Sequence, residues 1–165
     1  MFLIAISFFK IQSAETEVPI TGAFGFELGK IYRLAPQKFT MFHPVKNISK
    51  KFRKFKKYDI SVNDEQKIFL IRAEYYADSP EEAQEELKII EKAMETKYKV
   101  KPTPIKTTQK RDFYFNEITN KDPKRTIAIV QDQNVIRIMY RDHELGKAQA
   151  KNLSKEISKE DLEAI

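Results

Sequence analysis

Only a few residues in this chain have side chains suited to chemistry. There are two histidines, His43 and His143, and no cysteine, so thiol nucleophiles, thiolate metal sites and disulfides are excluded. His143 stands beside Glu144, but no second ligand follows at the spacing that presents two imidazoles to zinc from one helix face. Acid–base catalysis needs a histidine oriented by a partner. Neither sequence neighbourhood supplies one, so both read as surface residues, His43 in a basic loop and His143 at a helix start. Gly22, Gly25 and the Gly29-Lys30 pair superficially suggest a phosphate loop. That motif requires a glycine where Phe24 stands and Ser or Thr where Ile31 stands, so the pattern fails. No serine sits in a G-x-S-x-G turn. The expectation is no catalytic residue, no metal site and no cofactor.

The one constellation with a plausible task is electrostatic. Ten basic residues fall between Lys30 and Lys57, with no acid between Glu27 and Asp59. The whole chain carries a net +6, yet the remainder holds twenty basic against twenty-four acidic residues, a net of −4. The core of the block is Lys50-Lys51-Phe52-Arg53-Lys54-Phe55-Lys56-Lys57-Tyr58. Its candidate anion-binding residues are Lys46, Lys50, Lys51, Arg53, Lys54, Lys56 and Lys57. Cations interleaved with rings suit single-stranded nucleic acid, where rings stack on bases. The same mix suits anionic lipid headgroups or polyanionic envelope polymers. Phe52, Phe55 and Tyr58 recur every three residues, which turns them toward a core and leaves no stacking platform. The expected partner is therefore an anionic envelope polymer, a lipid surface or an acidic protein, ahead of nucleic acid. The competing reading of the block is a solvated strand and loop face.

The elements that position this block are legible from their periods. At 165 residues the chain fits one domain able to bury roughly 70% of its unfolded surface without a staple. Phe24, Phe26 and Leu28 alternate with Gly25, Glu27 and Gly29, which predicts a strand within residues 21–32. A basic, Pro-bearing loop follows to about residue 50. Residues 58–62 and 68–76 predict a hairpin around Asn63-Asp64-Glu65-Gln66. Ser79, Pro80 and Glu82 predict a capped helix start, and Ala83, Leu87, Ile90, Met94 and then Lys97 or Tyr98 form its inward stripe. Glu85 and Glu86 are expected on the solvated face, and the acid-rich helix is expected to be repelled by any anionic partner. In the second half, residues 113–115, 126–130 and 135–141 predict strands. Asp142 then caps a helix to about Ile157 that turns Leu145, Ala148, Leu153 and Ile157 inward. The fold class is α+β: an antiparallel sheet of about six strands with two main helices on one face, read as two β-β-β-α halves.

Phe2 to Phe9 is an apolar run interrupted only by Ser7, well short of the roughly 20 residues that span a bilayer. Followed by Gln12-Ser13-Ala14 and a polar stretch, it predicts a signal peptide over residues 1–14 and a single domain over 15–165. The signal is atypical, since no Lys or Arg precedes the run and Gln12 stands three residues before the cleaved bond. A leader, then F-G-F-E-L-G-K (residues 24–30), Y-D-I-S-V (58–62) and a capped helix ending K-Y-K (97–99) resembles small exported proteobacterial proteins of unknown function. The resemblance implies an exported α+β domain, periplasmic or secreted, and brings no activity with it. The functional expectation is a non-enzymatic binding domain with an anionic partner. Its rivals are an intracellular nucleic-acid-binding protein, or a small hydrolase or toxin-type enzyme in which His43 or His143 meets a carboxylate across the fold.

Overall fold

A computed structural model describes residues 17–34, 42–105, 113–119 and 122–150. The elements are β1 (Gly22–Ala23), β2 (Phe26–Glu27), β3 (His43–Pro44), β4 (Lys57–Val62), β5 (Ile68–Tyr76), α1 (Pro80–Tyr98), β6 (Thr103–Pro104), β7 (Phe113–Thr119), β8 (Arg125–Asp132) and β9 (Val135–Asp142), followed by a helix, α2, over 143–150. The predicted leader over 1–14 and the predicted helical residues 151–157 lie outside the described residues.

Seven strands make one antiparallel sheet in the order β3-β4-β5-β9-β8-β7-β6. The architecture is α+β, with two three-stranded meanders, β3-β4-β5 and β7-β8-β9, each followed by a helix. The last strand of each meander lies at the centre, with Ala73 opposite Ile138. The first strand of the first half is β3 rather than residues 21–32, of which 22–27 form a separate β1-β2 hairpin while Ile31 bridges Lys67 beside β5. The reason lies in Phe24-Gly25, whose φ values of 57° and 93° are both left-handed. Two such residues close a two-residue hairpin, so the alternation there belongs to a turn and not to one continuous strand. A bulky residue at positive φ is strained. Phe24 is held there because its ring is buried, 5.1 Å from Tyr58 and 5.8 Å from Tyr140 between centroids.

Strand alternation sorts the sheet into two chemically different faces. Tyr58, Ile60, Ile71, Ala73, Tyr75, Ile127, Ile129, Ile136, Ile138 and Tyr140 are buried among the core. α1 covers them with Ala83, Leu87, Ile90, Met94 and Tyr98, the stripe that its spacing predicts. Each large apolar side chain so buried contributes about 1.5–3 kcal/mol. Ser79 caps the helix by accepting from the Glu82 amide at 3.2 Å. Glu82 returns the favour one residue early, accepting from the Asp78 amide at 2.9 Å. Lys99, left-handed at φ 60°, closes the other end.

The opposite face carries a charge ladder. Asp59 pairs with Arg72 at 2.7 Å. Glu74 meets Arg137 at 3.2 Å, Lys57 at 3.1 Å and Arg72 at 3.5 Å, and also accepts from the Tyr76 hydroxyl at 2.6 Å. The Phe42 ring lies 3.7 Å from the Arg72 guanidinium. Burial alone would raise Glu74, but the Tyr76 hydroxyl and Lys57, with Arg72, hold it below the ordinary carboxylate range.

Arg125 ties the hairpin to the sheet. It donates to Asp142 at 3.0 Å and to the carbonyls of Ile20 and Leu28 at 3.4 and 3.2 Å. Asp142 also accepts from the Leu145 amide at 3.2 Å and so caps α2, as its position predicts. In α2 Leu145 is partly buried, whereas Ala148, expected inward, is exposed. The short apolar period of that helix does not fix its face without the sheet it meets.

Candidate anion-binding surface

The seven candidate cations of the basic block lie on the loop from Val45 to Lys56 and the first residue of β4. Its entry is fixed where the Val45 amide donates to the Tyr58 carbonyl at 2.9 Å. Its tip is a turn over residues 52–55 closed by Phe55 N–H to Phe52 C=O at 3.0 Å, with Arg53 left-handed at φ 45°. The Tyr58 hydroxyl locks that turn, accepting from the Phe52 amide at 3.0 Å and donating to the Phe55 carbonyl at 3.2 Å. From beneath, the β1-β2 hairpin presses on the loop so closely that a Cβ at Gly25 would lie 1.9 Å from Ser49 Oγ.

The three rings turn inward. Phe55 and Tyr58 are buried, and Phe52 packs against the core between Phe24 and Phe55. The three-residue spacing signals this, because each ring has an aromatic or apolar partner behind it. The loop therefore offers the solvent cations without stacking surfaces.

The seven candidate cations divide into two groups. Lys46, Lys50, Lys51 and Lys56 are exposed and make no ion pair among the described residues. Arg53, Lys54 and Lys57 are engaged. Arg53 forms a two-pronged pair with Glu86, with Nη2 to Oε2 at 3.3 Å. Lys54 reaches Glu82 at 2.7 Å and Glu86 at 4.0 Å. Lys57 reaches Glu74 on the charged face of the sheet. The hydrogen bonds to Glu86, Glu82 and Glu74 respectively raise all three cations above their ordinary values. The expectation that Glu86 is solvated is overturned, since it is only 3% exposed. A helical position one residue before Leu87 can flank the apolar stripe, and the Arg53 guanidinium supplies the charge that a buried carboxylate needs. The acid-rich start of α1 lies against the basic block, a contact that charge counting along the chain does not reveal.

Of the histidines, His143 Nε2 lies 2.9 Å from Thr126 Oγ1, a buried threonine. Among the described residues no group of three His, Asp or Glu side chains converges as a metal site would. No helix among them is long and apolar enough to cross a membrane. No protein-family model, curated protein or solved structure matches the chain.

Proposed function

We propose that this chain is an exported, non-enzymatic binding domain that grips a linear polyanion through Lys46, Lys50, Lys51 and Lys56. The observation that carries this reading is the coincidence of four exposed lysines, each without an ion pair among the described residues, on one short loop whose interleaved rings are turned into the core. A surface of point charges without stacking groups asks its ligand for charge density and little else. That favours an anionic polymer of the cell envelope over single-stranded nucleic acid, which gains much of its affinity from base stacking. It also favours a polymer over a lipid surface, because the rings that could seat in a headgroup layer are unavailable. Export rests on the apolar run Phe2–Phe9 and the polar stretch after it. The proximity of His143 to a threonine weighs against the hydrolase alternative at that histidine.

The test is a salt titration of binding to heparin, single-stranded DNA and anionic vesicles. Wild type is compared with the variant in which Lys46, Lys50, Lys51 and Lys56 are all changed to Gln. Counterion release gives a log–log slope of about −0.7 per phosphate contact on single-stranded DNA, so the variant should lose about three units of slope there and a comparable amount on heparin. Equal affinity and slope for the two proteins would make the loop a solubilising face. A loss seen only with DNA would replace the envelope polymer by nucleic acid, and one seen only with vesicles would replace it by a membrane.

A further inference from the structure

The acids at the start of α1 sit where a bound polyanion would place its own charges. Glu82 holds Lys54 at 2.7 Å, and Glu86 holds Arg53 while standing 4.0 Å from Lys54. Glu82 is not a flexible surface acid that happens to touch a lysine. Its Oε2 accepts from the Asp78 amide at 2.9 Å, and its Oε1 accepts from the Tyr75 hydroxyl at 2.7 Å. Helix cap and sheet thus fix the carboxylate in place before any lysine arrives. Lys54 and Arg53 keep half and two-fifths of their side-chain surface exposed, 50% and 41%, so solvent and ligand reach the cations from the outer side. A pair with a fixed anion and an accessible cation is one that an external anion can contest. The third engaged cation differs, because Lys57 meets a carboxylate already shared with Arg72, Arg137 and Tyr76.

We propose that Glu82 and Glu86 form an autoinhibitory latch on the basic loop, competing with the polyanion for Lys54 and Arg53. This rests on the reading of the loop as a polyanion-binding surface and adds its regulation. With the latch closed the loop presents four free cations. A ligand dense enough in charge to displace the carboxylates gains two more and disengages the loop from α1. Ligands are thereby sorted by charge density rather than by sequence or shape.

The experiment compares heparin binding of wild type, Glu82→Gln, Glu85→Gln, Lys54→Gln and the double variant Glu82→Gln/Lys54→Gln. Glu85 is exposed on the same helix and pairs with no described cation, so its change alters net charge equally without touching the latch. Glu82→Gln should tighten heparin binding and steepen the salt slope by about 0.7–0.9, one additional charge contact. Glu85→Gln should leave the slope unchanged, and Lys54→Gln should cancel the gain in the double variant. Equal effects of Glu82→Gln and Glu85→Gln, or a gain that survives loss of Lys54, would overturn the latch. If Glu82→Gln does not fold, Lys54→Gln alone decides. It should lose far less slope than Lys50→Gln, and equal losses would overturn the proposal. Failure of the underlying reading has a different signature: the variant with Lys46, Lys50, Lys51 and Lys56 changed to Gln would bind as wild type does.

Discussion

Glu82 is a carboxylate fixed by donors on three sides, and this gives it a pH signature of its own. Lys54 first, then the Tyr75 hydroxyl and the Asp78 amide, stabilise its charged form and lower its pKa from 4.5 to about 2. A group whose folded-state value is depressed contributes stability in full above its unfolded value and loses it as pH falls through the folded one. The window here runs from 4.5 down to about 2. We expect the gap in urea midpoint between wild type and Glu82→Gln to be constant above that window and to narrow steadily within it. A gap that does not change with pH would show that the fold does not favour the charged form of Glu82 over the protonated one. Glu86 raises a related question, because its neighbours in sequence meet such different surroundings. Leu87→Ala should cost about 2–5 kcal/mol, as a buried large-to-small change does. Exposed Glu85→Ala should cost less than ~0.5 kcal/mol. Glu86→Ala should fall between them, because it leaves the Arg53 guanidinium without its carboxylate at the edge of the core. Urea unfolding of the three variants ranks them, and a Glu86 variant indistinguishable from Glu85→Ala would mean that the pair contributes nothing.

At the scale of elements, the β1-β2 hairpin is the support on which the basic loop rests. Gly25 is needed there twice over, for its positive φ and for the space that Ser49 occupies. Gly25→Ala should destabilise the protein both through backbone strain of about 1–2 kcal/mol and through the collision with Ser49 Oγ. Removing that oxygen with Ser49→Ala should restore part of the loss and leave the backbone share. No recovery in the double variant would place the whole cost in the backbone. The same logic of one element bracing another applies to Arg125, whose single side chain reaches Asp142 and two hairpin carbonyls. Nothing in the local sequence marks Arg125 as different from the other arginines. Its partners Ile20 and Leu28 lie about a hundred residues away and meet it only when β8 takes its place in the sheet.

For the whole molecule, the charge asymmetry along the chain turns into a paired arrangement in space. The net positive segment and the acid-rich helix meet, and three of the seven candidate cations are engaged by carboxylates. Four remain for a ligand. We therefore expect the variant with Arg53, Lys54 and Lys57 changed to Gln to lose stability more than polyanion affinity. The variant with Lys46, Lys50, Lys51 and Lys56 changed should do the reverse. Thermal unfolding measured beside heparin binding separates the two effects, and parallel losses in both variants would erase the distinction. Export is tested at the same scale by intact mass: protein from its native source should begin near residues 13–15, and retention of Met1 to Phe9 would remove the signal peptide from the proposal.

The sequence by itself determined what depends on period and caps. The stripe Ala83, Leu87, Ile90, Met94 and Tyr98, the Ser79 cap, the turn after Val62 and the alternation of β9 are all local, because a helix or strand presents its face at a fixed spacing. The inward turn of Phe52, Phe55 and Tyr58 was legible for the same reason, and with it the conclusion that the loop offers cations without rings. Tertiary structure decided which charges those cations meet. Glu86 lies 33 residues beyond Arg53 and no spacing rule links them, whereas Glu74 meets Lys57 as its cross-strand partner in the β4-β5 hairpin, through a register that includes a bulge at Ser61/Val62. It also decided that residues 22–27 fold as a hairpin, since the pocket between Tyr58 and Tyr140 makes left-handed Phe24 tolerable. Coulomb attraction depends on distance in space, whereas the sequence records only distance along the chain, so the division between free and engaged lysines appears only once sheet and helix are assembled.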